Sequence, residues 1–120
     1  MACCEVGGFI YTSVLASRVD VPLVLIREAG KLPLPAVSII KPPSYISSLI
    51  SINSKEKRIE IERDIVPRGA LVVVVDDILS TGETLYAVQQ LLDEAGIGAE
   101  DVSIIAVAEF PVHRGRELLR

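Results

Sequence analysis

Val72-Val73-Val74-Val75-Asp76-Asp77-Ile78-Leu79-Ser80-Thr81-Gly82-Glu83-Thr84-Leu85 is the stretch whose reading decides the fold. Ala70 to Val75 is apolar at every position, which predicts a central parallel strand covered on both faces, closed by Asp76 and Asp77. After a polar, glycine-containing turn, Thr84 to Ala95 sets Leu85, Val88, Leu91 and Leu92 on one helical stripe, and Gly96 and Gly98 supply the stop. Asp101 to Phe110 then returns as a strand. Strand, helix and strand in this order make a βαβ unit.

The same alternation runs upstream. Ala2 to Cys4 is an apolar stub broken by Gly7-Gly8, and Phe9 to Val19 carries a helical run with Ile10, Val14, Leu15 and Arg18 spaced at three and four. Leu23 to Ile26 has the length of a strand and is followed by a loop over Glu28-Ala29-Gly30-Lys31-Leu32-Pro33. From Lys41 to Lys57, Pro, Ser, Asn and Lys keep interrupting the apolar positions, which predicts a long mobile loop with room for a short strand. Lys57 to Glu62 alternates, with Ile59 and Ile61 on one face and Arg58, Glu60 and Glu62 on the solvated one. Val66-Pro67-Arg68-Gly69 turns the chain into the central strand. The expected architecture is α/β, a small doubly wound and mostly parallel sheet.

Composition narrows the function classes. At 120 residues, 50% hydrophobic, the chain has the length of one domain, residues 1–120. A core burying roughly two-thirds of the unfolded surface needs no disulfide or metal to support it. With no Trp, three Tyr and two Phe, the apolar content is aliphatic, as in buried sheet. A net charge of −4 disfavours nonspecific binding to nucleic acid. No apolar run approaches the roughly 20 residues of a membrane-spanning helix. The start has neither the basic nor the apolar region of a secretory signal, so the expected setting is cytoplasmic, without a membrane partner. Cys3 and Cys4 are adjacent and are the only cysteines; they cannot staple distant segments or complete a zinc site, and they read as small buried apolar residues.

The chemistry sits in the turn. Two carboxylates stand at the end of the strand, beside a helix N-terminus with unpaired N–H groups and three hydroxyls from Ser80, Thr81 and Thr84. Each piece alone is an ordinary turn or N-cap choice. Two adjacent acids, however, repel one another and gain nothing for stability, so acids and anion cradle together point to a ligand carrying a phosphate and, nearby, vicinal hydroxyls. A ribose 5-phosphate has both. Glu83 suits the helix dipole without a catalytic role, and His113 reads as a surface or packing residue. No G-x-x-x-x-G-K-[ST] loop is present to make the chain a P-loop NTPase.

This stretch resembles the phosphoribosyl diphosphate signature of the type I phosphoribosyltransferases: four apolar residues, two acids, two apolar residues, then a small-Thr-Gly-x-Thr turn. Gly8-Phe9-Ile10, the run from Leu25 through Gly30-Lys31-Leu32-Pro33, and the ending from Ala108 to Leu119 are similar to the adenine-specific branch. The resemblance implies that Asp76 and Asp77 bind the ribose hydroxyls and that Ser80, Thr81, Gly82, Glu83 and Thr84 hold the 5-phosphate. It further implies that Gly7 and Gly8 form the pyrophosphate turn, that Arg27 reaches pyrophosphate across a homodimer, that Lys31 belongs to the Gly-Lys-Leu-Pro loop, and that residues 41–57 are a lid. The partners implied are phosphoribosyl diphosphate and a purine base, adenine by the Gly-Lys-Leu-Pro match. Mg2+ arrives on the substrate diphosphate, without a protein cage.

The chain departs from the family pattern at three points. It begins near the pyrophosphate turn, without the N-terminal segment that contributes to the family's base-binding hood, so the domain is expected to be partial there. It has Glu5-Val6-Gly7-Gly8-Phe9 where the family reads Glu-Ala-Arg-Gly-Phe, and Ser51-Ile52-Asn53-Ser54-Lys55 where the family's lid reads Tyr-x-Leu-Glu-Tyr-Gly. Two functions follow as expectations: a purine phosphoribosyltransferase forming AMP and pyrophosphate in salvage, or a truncated or regulatory module that keeps the ribose-phosphate cradle without turnover.

Overall fold

The computed structural model describes residues 1–5, 7–41 and 57–119. Its strands are β1 (Ala2–Cys4), β2 (Val24–Glu28), β3 (Ala36–Lys41), β4 (Lys57–Glu62), β5 (Val72–Leu79) and β6 (Val102–Glu109). Its helices are α1 (Gly7–Val19), α2 (Glu83–Glu94) and α3 (Gly115–Leu118). The strands form one sheet in the order β3-β4-β2-β1-β5-β6. β2, β1, β5 and β6 are parallel neighbours, while β3 and β4 pair antiparallel at one edge. The α/β architecture and the mostly parallel sheet are as expected.

The β5–α2 unit follows its sequence closely. Val72, Val74 and Val75 are buried in β5, and Leu85, Val88, Leu91 and Leu92 of α2 are buried against the sheet with Ile26, Ile59 and Ile61. β5 does run further than anticipated: it continues through Asp76 and Asp77 to Leu79, because β6 keeps pairing with it as far as Leu79 opposite Glu109. Cys3 and Cys4 are both buried, as small apolar residues would be. Burial, the dominant influence, pushes the Cys3 thiol above its usual range.

Three expectations change. On α1 the buried residues are Gly8, Thr12 and Ala16, whereas Ile10 and Val14 are 69% and 60% exposed. The helix lies so close to the sheet that a Cβ on Gly8 would stand 2.8 Å from the Val75 carbonyl oxygen and 3.1 Å from Cys3 Cβ, so only small residues fit the contact face. The second change is β3, a strand that the sequence reading left unassigned; Val37 and Ile39 pack against the core while Ile40 is 46% exposed, the alternation of an edge strand. The third is Glu60, placed on a solvated face but buried, because the Gly30–Leu32 loop covers it. The expected loop and lid at 41–57 fall mainly on residues 42–56, outside the described residues; Lys41 and Lys57 on either side are paired across β3 and β4.

Candidate active site

Beyond the carboxyl ends of β1 and β5, Glu5, Gly7, Asp76, Asp77 and the run from Ile78 to Leu85 line one concavity of about 240 Å³. Ligands of open α/β sheets bind at this end. A larger concavity of about 400 Å³, lined by residues such as Arg68, Gly69 and Ile97, lies before β5 begins and gathers none of the motif residues. Position and chemistry therefore favour the smaller one.

Each wall has a local cause. Asp76 is nearly buried and its Oδ1 accepts the Asp77 N–H at 2.9 Å, while Asp77 Oδ1 accepts the Ile78 N–H at 2.8 Å. Gly7 and Gly8, expected as a turn, are instead the first residues of α1, and this helix start closes on both acids. A Cβ on Gly7 would stand 2.7 Å from Asp77 Oδ1, and one on Gly8 would stand 3.6 Å from Asp76 Oδ1. Gly7 thus gives Asp77 room that a side chain would occupy. On the opposite wall Gly82 caps α2 at φ 81°, a left-handed conformation that glycine adopts without strain, and no side chain caps the helix. The first helical hydrogen bond runs from the Tyr86 N–H to the Gly82 carbonyl at 2.8 Å, so the N–H groups of Glu83, Thr84 and Leu85 have no partner within the helix. Thr81 Oγ1 accepts the Glu83 N–H only at 3.5 Å.

The cradle is braced from behind. Gly115, buried at the start of α3, lies directly on the Ser80–Gly82 backbone: a Cβ there would stand 2.8 Å from Gly82 N and from Thr81 C, with Ser80 O nearer still. Nothing in the sequence marks Gly115 for this role except the glycine itself.

The structure brings Gly7, Asp76, Asp77, Ser80, Thr81, Gly82, Glu83 and Thr84 to one concavity, with Gly8 buried beneath it. Arg27 and Lys31 are not among its lining residues. They lie on the far side of Glu5, whose Oε2 accepts from Arg27 Nη2 at 3.4 Å and from Lys31 Nζ at 3.2 Å, while Oε1 accepts the Glu28 N–H at 2.6 Å. Burial alone would raise the Glu5 carboxyl, but the Glu28 N–H, Lys31 and Arg27 together hold it below the usual carboxylate range. Glu60 fixes the same loop from below, accepting the Gly30 N–H at 2.9 Å and the Leu32 N–H at 3.4 Å. The lining carboxylates are Glu5, Asp76, Asp77 and Glu83, and among the described residues no lysine or arginine lines the concavity. Among the described residues no group of three or more His, Cys, Asp or Glu could hold a metal ion.

Comparison with known proteins agrees with the geometry. Residues 1–117 match the family described as phosphoribosyl transferase domain. The chain is 37% identical over 115 residues to the adenine phosphoribosyltransferase of Roseiflexus castenholzii, covering 96% of this chain and 60% of that protein. It is 38% identical over 119 residues to the one from Treponema pallidum, covering 99% and 57%. The chain therefore spans less than two-thirds of the length of these relatives. Among solved structures, APRTase from Giardia lamblia complexed with 9-deazaadenine superposes with a TM-score of 0.85 at 30% identity, covering 98% of this chain and 61% of that one. Adenine phosphoribosyltransferase from Thermoanaerobacter pseudethanolicus gives 0.81 at 35% identity, covering 98% and 62%. Fold, signature turn and a match along nearly the whole chain lead to one assignment: the chain belongs to the phosphoribosyltransferase family of pentosyl-transferring enzymes.

Proposed function

We propose that residues 1–120 form one phosphoribosyltransferase unit of the adenine type, making AMP and pyrophosphate from adenine and phosphoribosyl diphosphate in purine salvage. The observation that carries this reading is the single concavity shared by Gly7, Asp76, Asp77 and the Ser80–Thr84 turn. The names of the relatives support adenine as the base. Asp76 and Asp77 accept hydrogen bonds from the ribose hydroxyls. The N–H groups of the Ser80–Thr84 turn, with the Thr81 and Thr84 hydroxyls, hold the 5-phosphate. Arg27 and Lys31 serve the diphosphate. In the reaction the bond from ribose C1 to the pyrophosphate oxygen breaks, its electron pair leaving on magnesium pyrophosphate. A purine nitrogen bonds to C1 and loses its proton to solvent. Positive charge grows on the ribose as this happens, and the fixed carboxylates beside it stabilise that charge.

The exposed Ile10 and Val14 of α1, with Leu25, Ile105 and Val107 exposed on the sheet, support a homodimer that covers apolar surface. Two buried cysteines outside any disulfide support a cytoplasmic setting, and among the described residues no helix is long and apolar enough to cross a membrane. A second reading, a binding or regulatory module without turnover, is favoured by one observation: among the described residues the concavity is lined by four carboxylates and no cation, with Gly7 where the family has arginine. The test is AMP formation from adenine and phosphoribosyl diphosphate with Mg2+, beside Asp77→Asn and with hypoxanthine and guanine as competing bases. Turnover that the variant abolishes supports the enzyme. AMP binding weakened by Asp77→Asn without any turnover supports the module, and no binding of either ligand refutes both.

A further inference from the structure

We propose that Glu5 is an internal counter-anion of the diphosphate subsite, holding Arg27 and Lys31 until an incoming diphosphate takes them over. The inference rests on the reading above, which gives those two cations to the diphosphate. Its starting point is an asymmetry of burial. The Glu5 side chain is 8% exposed, whereas Arg27 and Lys31, which donate to the same carboxylate oxygen, are 34% and 45% exposed. The carboxylate is fixed in the interior, tied by the Glu28 N–H at 2.6 Å. The cations sit at its rim on long side chains that can turn outward while Glu5 stays.

The path of the loop does not depend on these ion pairs. Glu60 holds Gly30 and Leu32 by their N–H groups, and the Glu28 N–H needs only an oxygen acceptor, which a neutral amide supplies equally. The negative charge of Glu5 adds stability through its ion pairs but is not what sets the path of the loop. It is also adverse to an anionic ligand, since Glu5 itself lines a concavity with three other carboxylates and, among the described residues, without a lysine or arginine. Arg27 has capacity to spare: its Nε is buried without a hydrogen-bond partner among the described residues, and Nη2 reaches Glu5 only at 3.4 Å. A diphosphate that recruits Arg27 and Lys31 must outcompete Glu5. Doing so leaves that carboxylate desolvated with only the Glu28 N–H from this set of partners, which sets back binding.

Removing the charge while keeping the acceptor reverses that setback. The experiment is isothermal titration of the 120-residue chain with inorganic pyrophosphate in the presence of Mg2+, and separately with AMP, for wild type, Glu5→Gln and Glu5→Asp. Glu5→Gln is expected to tighten pyrophosphate roughly tenfold, the scale of one charge-assisted interaction. AMP affinity is expected to rise by clearly less than pyrophosphate affinity, because the Ser80–Thr84 turn holds its phosphate without calling on Arg27 or Lys31. Glu5→Asp withdraws the carboxylate by one methylene and is expected to shift pyrophosphate in the same direction by less, which keeps the proposal testable if Glu5→Gln does not fold. A residue that merely supports the loop would lose affinity on substitution. Unchanged or weaker pyrophosphate binding in folded variants that still bind AMP overturns the proposal, as does absence of pyrophosphate binding in every form. Failure of the parent reading looks different: wild type then binds no AMP, or binds it with no dependence on Asp77.

Discussion

Replacing Gly115 with alanine drives a methyl group into backbone. The new Cβ would stand 2.8 Å from Gly82 N and from Thr81 C, closer still to Ser80 O, and Gly82 in turn approaches the Gly115 carbonyl so nearly that a Cβ of its own would lie 2.6 Å from it. None of these atoms belongs to a side chain that can rotate away. Either α3 moves outward or the Ser80–Gly82 turn moves inward. Overpacking usually costs about 1–3 kcal/mol, and contacts made wholly with backbone belong near the upper end, about 2–3 kcal/mol. For a domain of this size that lowers Tm by roughly 8–12 °C. Detachment of the chain end limits the loss, because α3 is short and is followed only by Leu119, which packs against the core and accepts a 3.5 Å bond from Gln89 Nε2. Urea denaturation should show a lower midpoint at unchanged m. AMP titration should show roughly tenfold weaker binding, the size of 1.4 kcal/mol lost at the phosphate cradle, while pyrophosphate binding is retained. A stability change under about 0.5 kcal/mol, the range of an ordinary surface substitution, together with unchanged AMP affinity, would refute the idea that Gly115 sets the position of the cradle.

Other outcomes follow from the same contacts. Leu91 is fully buried beneath the sheet, so Leu91→Ala should cost about 3 kcal/mol in urea denaturation. The Glu5 carboxyl is held below its ordinary value, so its contribution to stability is complete above about 4.5 and disappears as pH falls through the lower folded value. The Tm of Glu5→Gln should accordingly lack that part of the acid loss below pH 4.5 seen in wild type, when both are followed by circular dichroism. Val14, 60% exposed on α1, should sit within the dimer contact; light scattering should give a dimer for wild type and a larger monomer fraction for Val14→Glu.

Elements that bury their own large side chains were legible in advance. The valines of β5 and the Leu85, Val88, Leu91 and Leu92 stripe of α2 report burial through their chemistry, and the residues from Asp76 to Thr84 stand out in sequence as the set that shares one concavity. In α1 the helical run is legible, but the face that it buries is not, for the opposite reason. A helix pressed against a sheet must present small residues, so Gly8, Thr12 and Ala16 face inward and the more apolar Ile10 and Val14 face out. Glu60 looked solvated because strand alternation says nothing about a loop that folds over the strand from elsewhere in the chain. Glu5 and Gly115 were invisible as members of the site for the same reason: one acts through cations from β2 and its following loop, the other through a turn more than 30 residues upstream.

The central claim is that ribose 5-phosphate lies between Asp77 and the Ser80–Thr84 turn. Its most direct test is an amide NMR titration of the labelled chain with ribose 5-phosphate, repeated on Asp77→Asn. Shifts concentrated at Gly7, Gly8 and residues 80–84, with affinity at least tenfold weaker in the variant, are the predicted result. Shifts centred on the other concavity, around Arg68 and Ile97, or binding indifferent to Asp77, would contradict it.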